Sequence, residues 1–219
     1  MTTFQIKVLA IIFMLIDHVG LFFLPGVSEL RIVGRLAFPL FAWMIANGAK
    51  HTHNMEAYLF RLLLFAFISQ VPFAAVNRLI TPDFSRLNIL FTLFLGLCAI
   101  AMTKRTNKLW IKTVIVILCI TIAQLLHTEY GGFGVAMIVL FYRFFSNFPV
   151  MILSQTLLFC ASVLLLHVSK TNTFELFGLL SLLIIAFYNG KRGVRAKYLF
   201  YIIYPLQYVV VYFILQRIL

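Results

Sequence analysis

Apolar runs of roughly 17 to 20 residues recur from one end of the chain to the other, broken by short clusters of charged residues, proline and glycine. Each run is long enough to cross a hydrocarbon core of about 30 Å as a helix. With these clusters as punctuation, the pattern predicts nine spans, near residues 5–24, 33–49, 57–76, 87–103, 110–127, 131–145, 149–168, 173–188 and 198–217. The sixth is short, and the fifth to seventh can be divided differently to give eight or ten. There is no internal repeat. The expectation is an all-α, polytopic integral membrane helix bundle forming a single domain over 1–219.

Composition supports this class and removes others. In 219 residues, 63% are apolar, 24 are Phe and 11% are charged. That much apolar surface cannot be hidden inside a soluble globule of this size. The first run lacks a small-x-small cleavage site and carries Asp17 and His18, so it reads as a retained helix and not as a cleaved signal. Cys98, Cys119 and Cys160 fall inside apolar runs without CxxC spacing and read as lipid-facing or core residues.

The net charge of +12 does not point to nucleic acid, because the cations lie in short loops and not on an aromatic-interleaved stripe. It reports topology. Nine spans put Lys7, Lys50, Arg61, Lys104, Arg105, Lys108, Lys112, Arg143, Lys191, Arg192, Arg195 and Lys197 on one side. Arg31, Arg35, Arg78, Arg86, Lys170 and Arg217 fall on the other. The richer side is expected to be cytosolic, with the N-terminus inside and the C-terminus outside.

Against this background Asp17-His18, set in the first span, is the leading chemical feature. Ionisable groups at bilayer depth are costly and mark functional sites by default. Arg35, Gln70, Asn88 and Thr92 map to the same outer half and are candidates to converge with His18. Asn88 and Thr92, four apart, share a helix face. Asp17 points about 100° away from His18, which makes it a poor orienter of the imidazole and a better partner for Arg35 on a neighbouring helix. The plainer reading of these groups is a set of interhelical hydrogen bonds.

A second constellation lies on the inner side. In Tyr188-Asn189-Gly190-Lys191-Arg192-Gly193, two glycines bracket adjacent cations, a combination that suits a phosphate. Lys50 in the loop after the second span, and Arg61 just beyond it, share that side. Positive-inside charge alone is the competing reading, and it suffices for Lys104, Arg105, Lys108 and Lys112. His51 and His53 have HxH spacing without a third ligand, so no metal is expected. His127, Glu129 and His167 read as interfacial residues.

The chain resembles the TraX family of pilin N-acetylation proteins along its whole length. The stretches that carry the resemblance are Met14-Leu15-Ile16-Asp17-His18-Val19-Gly20, Gly34-Arg35-Leu36-Ala37-Phe38-Pro39-Leu40-Phe41-Ala42, and His51-Thr52-His53-Asn54 with Tyr58-Leu59-Phe60-Arg61-Leu62. Ser69-Gln70-Val71-Pro72-Phe73, Leu87-Asn88-Ile89-Leu90-Phe91-Thr92-Leu93 and Tyr188-Asn189-Gly190-Lys191-Arg192-Gly193 follow, ahead of Phe200-Tyr201-Ile202-Ile203-Tyr204-Pro205-Leu206. The family in turn resembles the transmembrane acyltransferases, including the acyltransferase-3 proteins and the lysosomal heparan glucosaminide acetyltransferase. Acyltransferase-3 proteins carry a basic residue, ten residues and a His on the first helix, and Lys7 and His18 have that spacing. Where a His is expected after Tyr-Pro-Leu, this chain has Gln207, which cannot take a proton.

The resemblance implies an acetyltransferase of the bacterial inner membrane with acetyl-CoA as co-substrate and no metal. Lys191 and Arg192, with Lys7, Lys50, Arg61, Tyr188, Asn189 and Tyr204, would hold the donor. His18 would be the general base beside Asp17, and Asn88, Arg35 or Gln70 would stabilise the oxyanion. The acceptor would be an amine or hydroxyl, in the pilin case a peptide N-terminal amine. Two other readings stand beside it: a transporter or assembly scaffold that uses Asp17-His18 as a relay or tie, and a lipid or polyprenyl-phosphate binder that uses only the basic turn.

Overall fold

The computed structural model describes residues 1–82, 84–165, 174–195 and 198–218, with the side chain of Leu165 excepted. In chain order the helices are α1 (Thr3–Phe22), α2 (Ser28–Gly34), α3 (Ala37–His51), α4 (Met55–Ile80), α5 (Ile89–Thr103), α6 (Leu109–Leu125), α7 (Gly131–Arg143) and α8 (Phe148–Leu165). A 3₁₀ segment η1 (Phe174–Leu180) then leads into α9 (Ser181–Ala186), and α10 (Leu199–Ile218) follows. Among the described residues the one β-type pairing is the isolated bridge between Leu87 and Thr128.

Among the described residues, four apolar helical stretches are long enough to span a bilayer: Thr3–Phe22, Ser28–His51, Met55–Ile80 and Leu199–Ile218. Five shorter apolar helices, Ile89–Thr103, Leu109–Leu125, Gly131–Arg143, Phe148–Leu164 and Phe174–Ala186, fall where the other five spans are expected. The protein is an all-helical, polytopic membrane protein. His167, Lys170, Lys197 and the facing ends of the expected spans 149–168 and 173–188 lie outside the described residues.

The second span differs from expectation in a way that matters for the site. Helix begins at Ser28, not near residue 33, and breaks between α2 and α3, where the Arg35 N–H reaches the carbonyls of both Arg31 and Ile32 at 3.2 Å. The tightened turn leaves Arg31 on a short helix and Arg35 at its C-cap.

The described residues form two compact units, each assembled from discontinuous sequence, and α3 starts in the first and ends in the second. The first unit holds residues 1–44 and 143–197, and its frame is the α1/α2 hairpin. Gly20 packs on Leu30 and Gly34 on Asp17, a pairing in which one number falls as the other rises, so the two helices run antiparallel. The η1 segment packs against α2 and α8. Trp43 stacks on Phe145 at 5.9 Å and meets Tyr188 edge-on at 4.8 Å.

In the second unit, residues 45–142 and 198–219, α4 packs against α5 and α10, and α5 against α6. Asn54 caps α4 and Asn88 caps α5, each accepting a main-chain N–H in its side-chain oxygen. The α4/α10 seam is aromatic: Phe65 stacks on Tyr201 at 4.8 Å, and Phe73 meets Tyr208 edge-on at 5.3 Å.

Candidate functional site

Helix α1 carries the candidate residues Lys7, Asp17 and His18 of the first unit. Lys7 and His18 are eleven residues apart, and eleven steps of 100° make three turns and about 20°, so both lie on one face, about 16 Å apart along the axis. Between and beyond them the same stripe carries Ile11, Met14 and Phe22, all buried. This face therefore points into protein and not into lipid. His18 is half-buried, with its ring centroid 5.8 Å from that of Phe22. Thr2 caps the helix start through a capping box with Gln5.

Beside His18 lies an ionic cluster. The Arg31 guanidinium donates through Nη1 to Asp17 Oδ2 at 2.7 Å and to the Asp17 main-chain oxygen at 3.3 Å. Arg35 donates through Nη1 to Glu175 Oε1 at 2.7 Å, and its Nη2 stands 4.0 Å from Asp17 Oδ1. The expected partnership of Asp17 with Arg35 is present as a long ion pair, and Arg31, which the sequence did not single out, is the closer partner. Asp17 is level with Gly34, between the turns that carry Arg31 and Arg35, and Glu175 draws Arg35 toward η1. All four side chains are mostly buried. Two cations facing two carboxylates leave the cluster neutral, which is how such groups persist in an apolar setting. Sequence reasoning had no role for Arg31 beyond topology and none for Glu175. The signals were the four-residue Arg31/Arg35 spacing and the scarcity of acidic residues, only six in the chain.

At the other end of α1 the Tyr188–Gly193 turn closes over the N-terminus. Thr3 and Phe4 donate their N–H groups to the carbonyls of Lys191 and Arg192 at 2.9 and 3.1 Å, and Asn189 donates to the Met1 carbonyl at 2.9 Å. The N-terminal ammonium bonds to the Phe187 carbonyl. Gly190 and Gly193 have φ of +75° and +71°, the left-handed region in which a side chain is strained. The Lys191 N–H donates to Asn189 Oδ1 at 3.1 Å. That amide is already committed within the turn. Lys191 and Arg192 are exposed, and the Arg192 charge acts on the Lys7 ammonium.

The remaining candidates belong to the second unit. Asn88 is fully buried, and both its amide hydrogens are spent, on the Ala66 carbonyl at 2.8 Å and on Gln70 Oε1 at 2.9 Å. Its Oδ1 accepts from Leu90 N–H at 3.0 Å. Gln70 Nε2 donates to the Arg86 carbonyl at 3.0 Å. Thr92 bonds to Thr128 Oγ1 at 2.9 Å and to the Glu129 carbonyl. The Glu129 carboxylate, which the sequence suggests is interfacial, accepts from Ile89 N–H at 3.1 Å at the positive end of α5. These groups form a structural network that joins α4, α5 and the 126–130 loop.

Lys50 lies over the Tyr142 ring at 4.6 Å, and Lys104 lies over the same ring at 5.3 Å. The Lys104 ammonium also donates to the Ala49 carbonyl at 2.6 Å, and burial pulls its pKa below the ordinary lysine value. The Arg61 guanidinium lies 5.9 Å from the centre of the Tyr58 ring. Tyr204 is buried edge-on against Tyr208 at 5.4 Å, and Gln207 is buried one turn further along. Among the described residues no three His, Cys, Asp or Glu side chains gather as metal ligands.

Comparison with known proteins places this architecture. A model of the TraX protein family matches residues 3–215, nearly the whole chain. The chain belongs to the TraX family. Among curated relatives, this TraX-family chain is 31% identical over 229 residues to a probable fimbrial assembly protein FimC, serogroup H1, of Dichelobacter nodosus, which covers 93% of the chain and 91% of the relative. It is 29% identical over 142 residues to Protein TraX of Escherichia coli, covering 64% of the chain and 55% of that protein. No solved structure matches it.

Proposed function

We propose that this protein is a membrane-embedded acyltransferase that moves an acetyl group from acetyl-CoA to an amine or hydroxyl acceptor, in the service of pilus or fimbrial assembly. The observation that carries the reading is the buried stripe of α1, with Lys7 toward its start and His18 beside the ionic cluster toward its end. The nucleotide phosphates of acetyl-CoA would rest on Lys7, Lys191 and Arg192, with Tyr188 and Asn189 shaping the turn. The pantetheine arm would run along the stripe toward His18.

In the transfer, neutral His18 takes a proton from the acceptor N–H or O–H as its lone pair attacks the thioester carbon. Arg35, the oxyanion candidate that belongs to the same unit as His18, would donate to the tetrahedral oxyanion. The oxyanion collapses as the C–S bond breaks, and the imidazolium returns the proton to the leaving thiolate. Asn88 and Gln70 are left out of this step because their donors are committed elsewhere. Direct transfer is favoured over an acyl-enzyme, since Cys98, Cys119 and Cys160 are not on the α1 stripe. The acceptor that best suits a family associated with pilins is the N-terminal amine of a pilin-like peptide. Its reference pKa of about 7.7 to 8.0 leaves it readily deprotonated.

The cation-rich N-terminal end is assigned to the cytosol, the acetyl-CoA side, in a bacterial inner membrane. The scaffold reading has one observation in its favour: the Asp17–Arg31 and Arg35–Glu175 pairs tie α1, α2 and η1 together without any chemistry. Acetyl-CoA binding to purified protein in nanodiscs separates the two. Binding weakened at least about tenfold by Lys191→Ala/Arg192→Ala supports the transferase, and no acyl-CoA binding by folded protein supports the scaffold.

A further inference from the structure

Glu175 is one of six acidic residues in the chain, and it stands on a segment that is otherwise apolar, Phe174-Glu175-Leu176-Phe177-Gly178-Leu179-Leu180. In a 3₁₀ helix, residues three apart eclipse one another. One edge of η1 therefore carries Glu175 and the buried Gly178. Another carries Phe177 and Leu180, which are 40% and 47% exposed. The exposed edge is apolar, and the acid is on the edge turned into the first unit.

That inner edge meets one residue twice. Glu175 Oε1 accepts from Arg35 Nη1 at 2.7 Å. Gly178 packs on the main chain of the same arginine: a β-carbon there would lie 3.3 Å from the Arg35 carbonyl oxygen and 3.0 Å from the Phe159 ring of α8. Arg35 is thus held by its side chain and by its backbone from a single element. Its N–H is fixed from its own helix by the Arg31 and Ile32 carbonyls.

The contact also divides two cations between two carboxylates. Arg31 Nη1 is 2.7 Å from Asp17 Oδ2, whereas Arg35 Nη2 stops 4.0 Å from Asp17 Oδ1. With Glu175 removed, Arg31 and Arg35 share Asp17 as the one carboxylate of the cluster, and attraction in this mostly buried setting draws the Arg35 guanidinium across that gap. Glu175 keeps Arg35 out of that shared pair. A misplacement of about 1 Å at a reacting centre can cost about a hundredfold in rate, so what anchors an oxyanion donor matters as well as the donor.

We infer that Glu175 is a positioning residue for acetyl transfer: it acts through Arg35, holding the guanidinium toward η1 and off Asp17 in the orientation used for the oxyanion. The inference rests on the transferase reading.

The test compares wild type, Glu175→Gln, Glu175→Asp, Arg35→Gln and the Glu175→Gln/Arg35→Gln double variant in nanodiscs. Values of kcat and of KM for acetyl-CoA are measured per folded molecule, with a peptide bearing a free N-terminal amine as acceptor. The expected result is a kcat at least about tenfold lower in Glu175→Gln with KM unchanged, partial recovery in Glu175→Asp, and a double variant no slower than Arg35→Gln alone. The same variants made with nitrogen-labelled arginine are read by NMR, the Arg35 guanidinium signals being assigned by their absence from Arg35→Gln. Separate Nη1 and Nη2 signals are expected in wild type, altered in Glu175→Gln.

An active wild type whose kcat is untouched by Glu175→Gln, or a double variant slower than Arg35→Gln, overturns the inference and leaves the transferase reading in place. No transfer by folded wild type overturns the transferase reading and with it any part of Glu175 in the reaction; the Arg35 signals then still report the anchor, so the two failures are told apart. Should Glu175→Gln fail to fold, Glu175→Asp carries the test, and a wild-type kcat with wild-type Arg35 signals in it overturns the inference.

Discussion

A β-carbon placed on Gly34 would stand 2.3 Å from both the β-carbon and Oδ1 of Asp17. The Asp17 carboxylate therefore lies directly against the α2 backbone, and only glycine leaves it room. This contact sets where the last turns of α1, and with them His18, sit relative to Arg31 and Arg35.

Gly34→Ala should push Asp17 off α2 and lengthen its ion pair with Arg31. Overpacking of this kind costs about 1–3 kcal/mol, and a thermal-unfolding scan in detergent should show a lower midpoint. An unchanged midpoint would mean that the helix pair can slide to accommodate the methyl.

The Asp17–Arg31 pair should behave as a coupled unit. Removing either charge strands the other in a mostly buried setting, while Asp17→Asn combined with Arg31→Gln removes both. A double-mutant cycle on thermal stability is expected to give a coupling of about 1–3 kcal/mol, with the double variant less damaged than the two single losses added together. Additive losses would show that the 2.7 Å contact contributes little.

Asn88→Ala should damage stability and not chemistry. The change removes the side-chain bonds to the Ala66 carbonyl and to Gln70 Oε1 together with the α5 cap, at about 1–3 kcal/mol. Acetyl transfer per folded molecule should be unchanged. A hundredfold loss of kcat at normal stability would instead restore Asn88 to the oxyanion role suggested by the sequence.

Gly193→Ala should loosen the clasp over the N-terminus. The residue has φ +71°, and a β-carbon there would lie 2.6 Å from the Thr2 hydroxyl. Because the Lys191 and Arg192 carbonyls receive the first N–H groups of α1, displacing the turn also moves both cations. Calorimetric titration should show weaker acetyl-CoA binding with kcat largely retained; an equal affinity would separate the turn's shape from donor binding.

The helical spans were legible because a membrane imposes one simple rule, apolar length, and among the described residues nine apolar stretches recur near the expected places. The start of α2 was not. Glu29, Arg31 and Arg35 break the hydropathy pattern, and the paired charges that let Ser28–Gly34 join the second span become visible only when Asp17 and Glu175 are brought alongside. Helical spacing put Asn88 and Thr92 on one face, but could not say that Gln70, Ala66 and Thr128 already satisfy them. Glu175 is separated from Arg35 by 140 positions, and no local rule links residues so distant. The Lys7/His18 pair was legible as a spacing, and the structure adds that the stripe joining them is buried.

The most direct test of the central claim is transfer of radiolabelled acetyl from acetyl-CoA to a peptide bearing a free N-terminal amine, by wild type and His18→Ala in nanodiscs, with donor affinity measured on the same samples. The account predicts a loss of transfer of at least about a hundredfold in His18→Ala with acetyl-CoA affinity retained. Transfer at the wild-type rate by His18→Ala would contradict it.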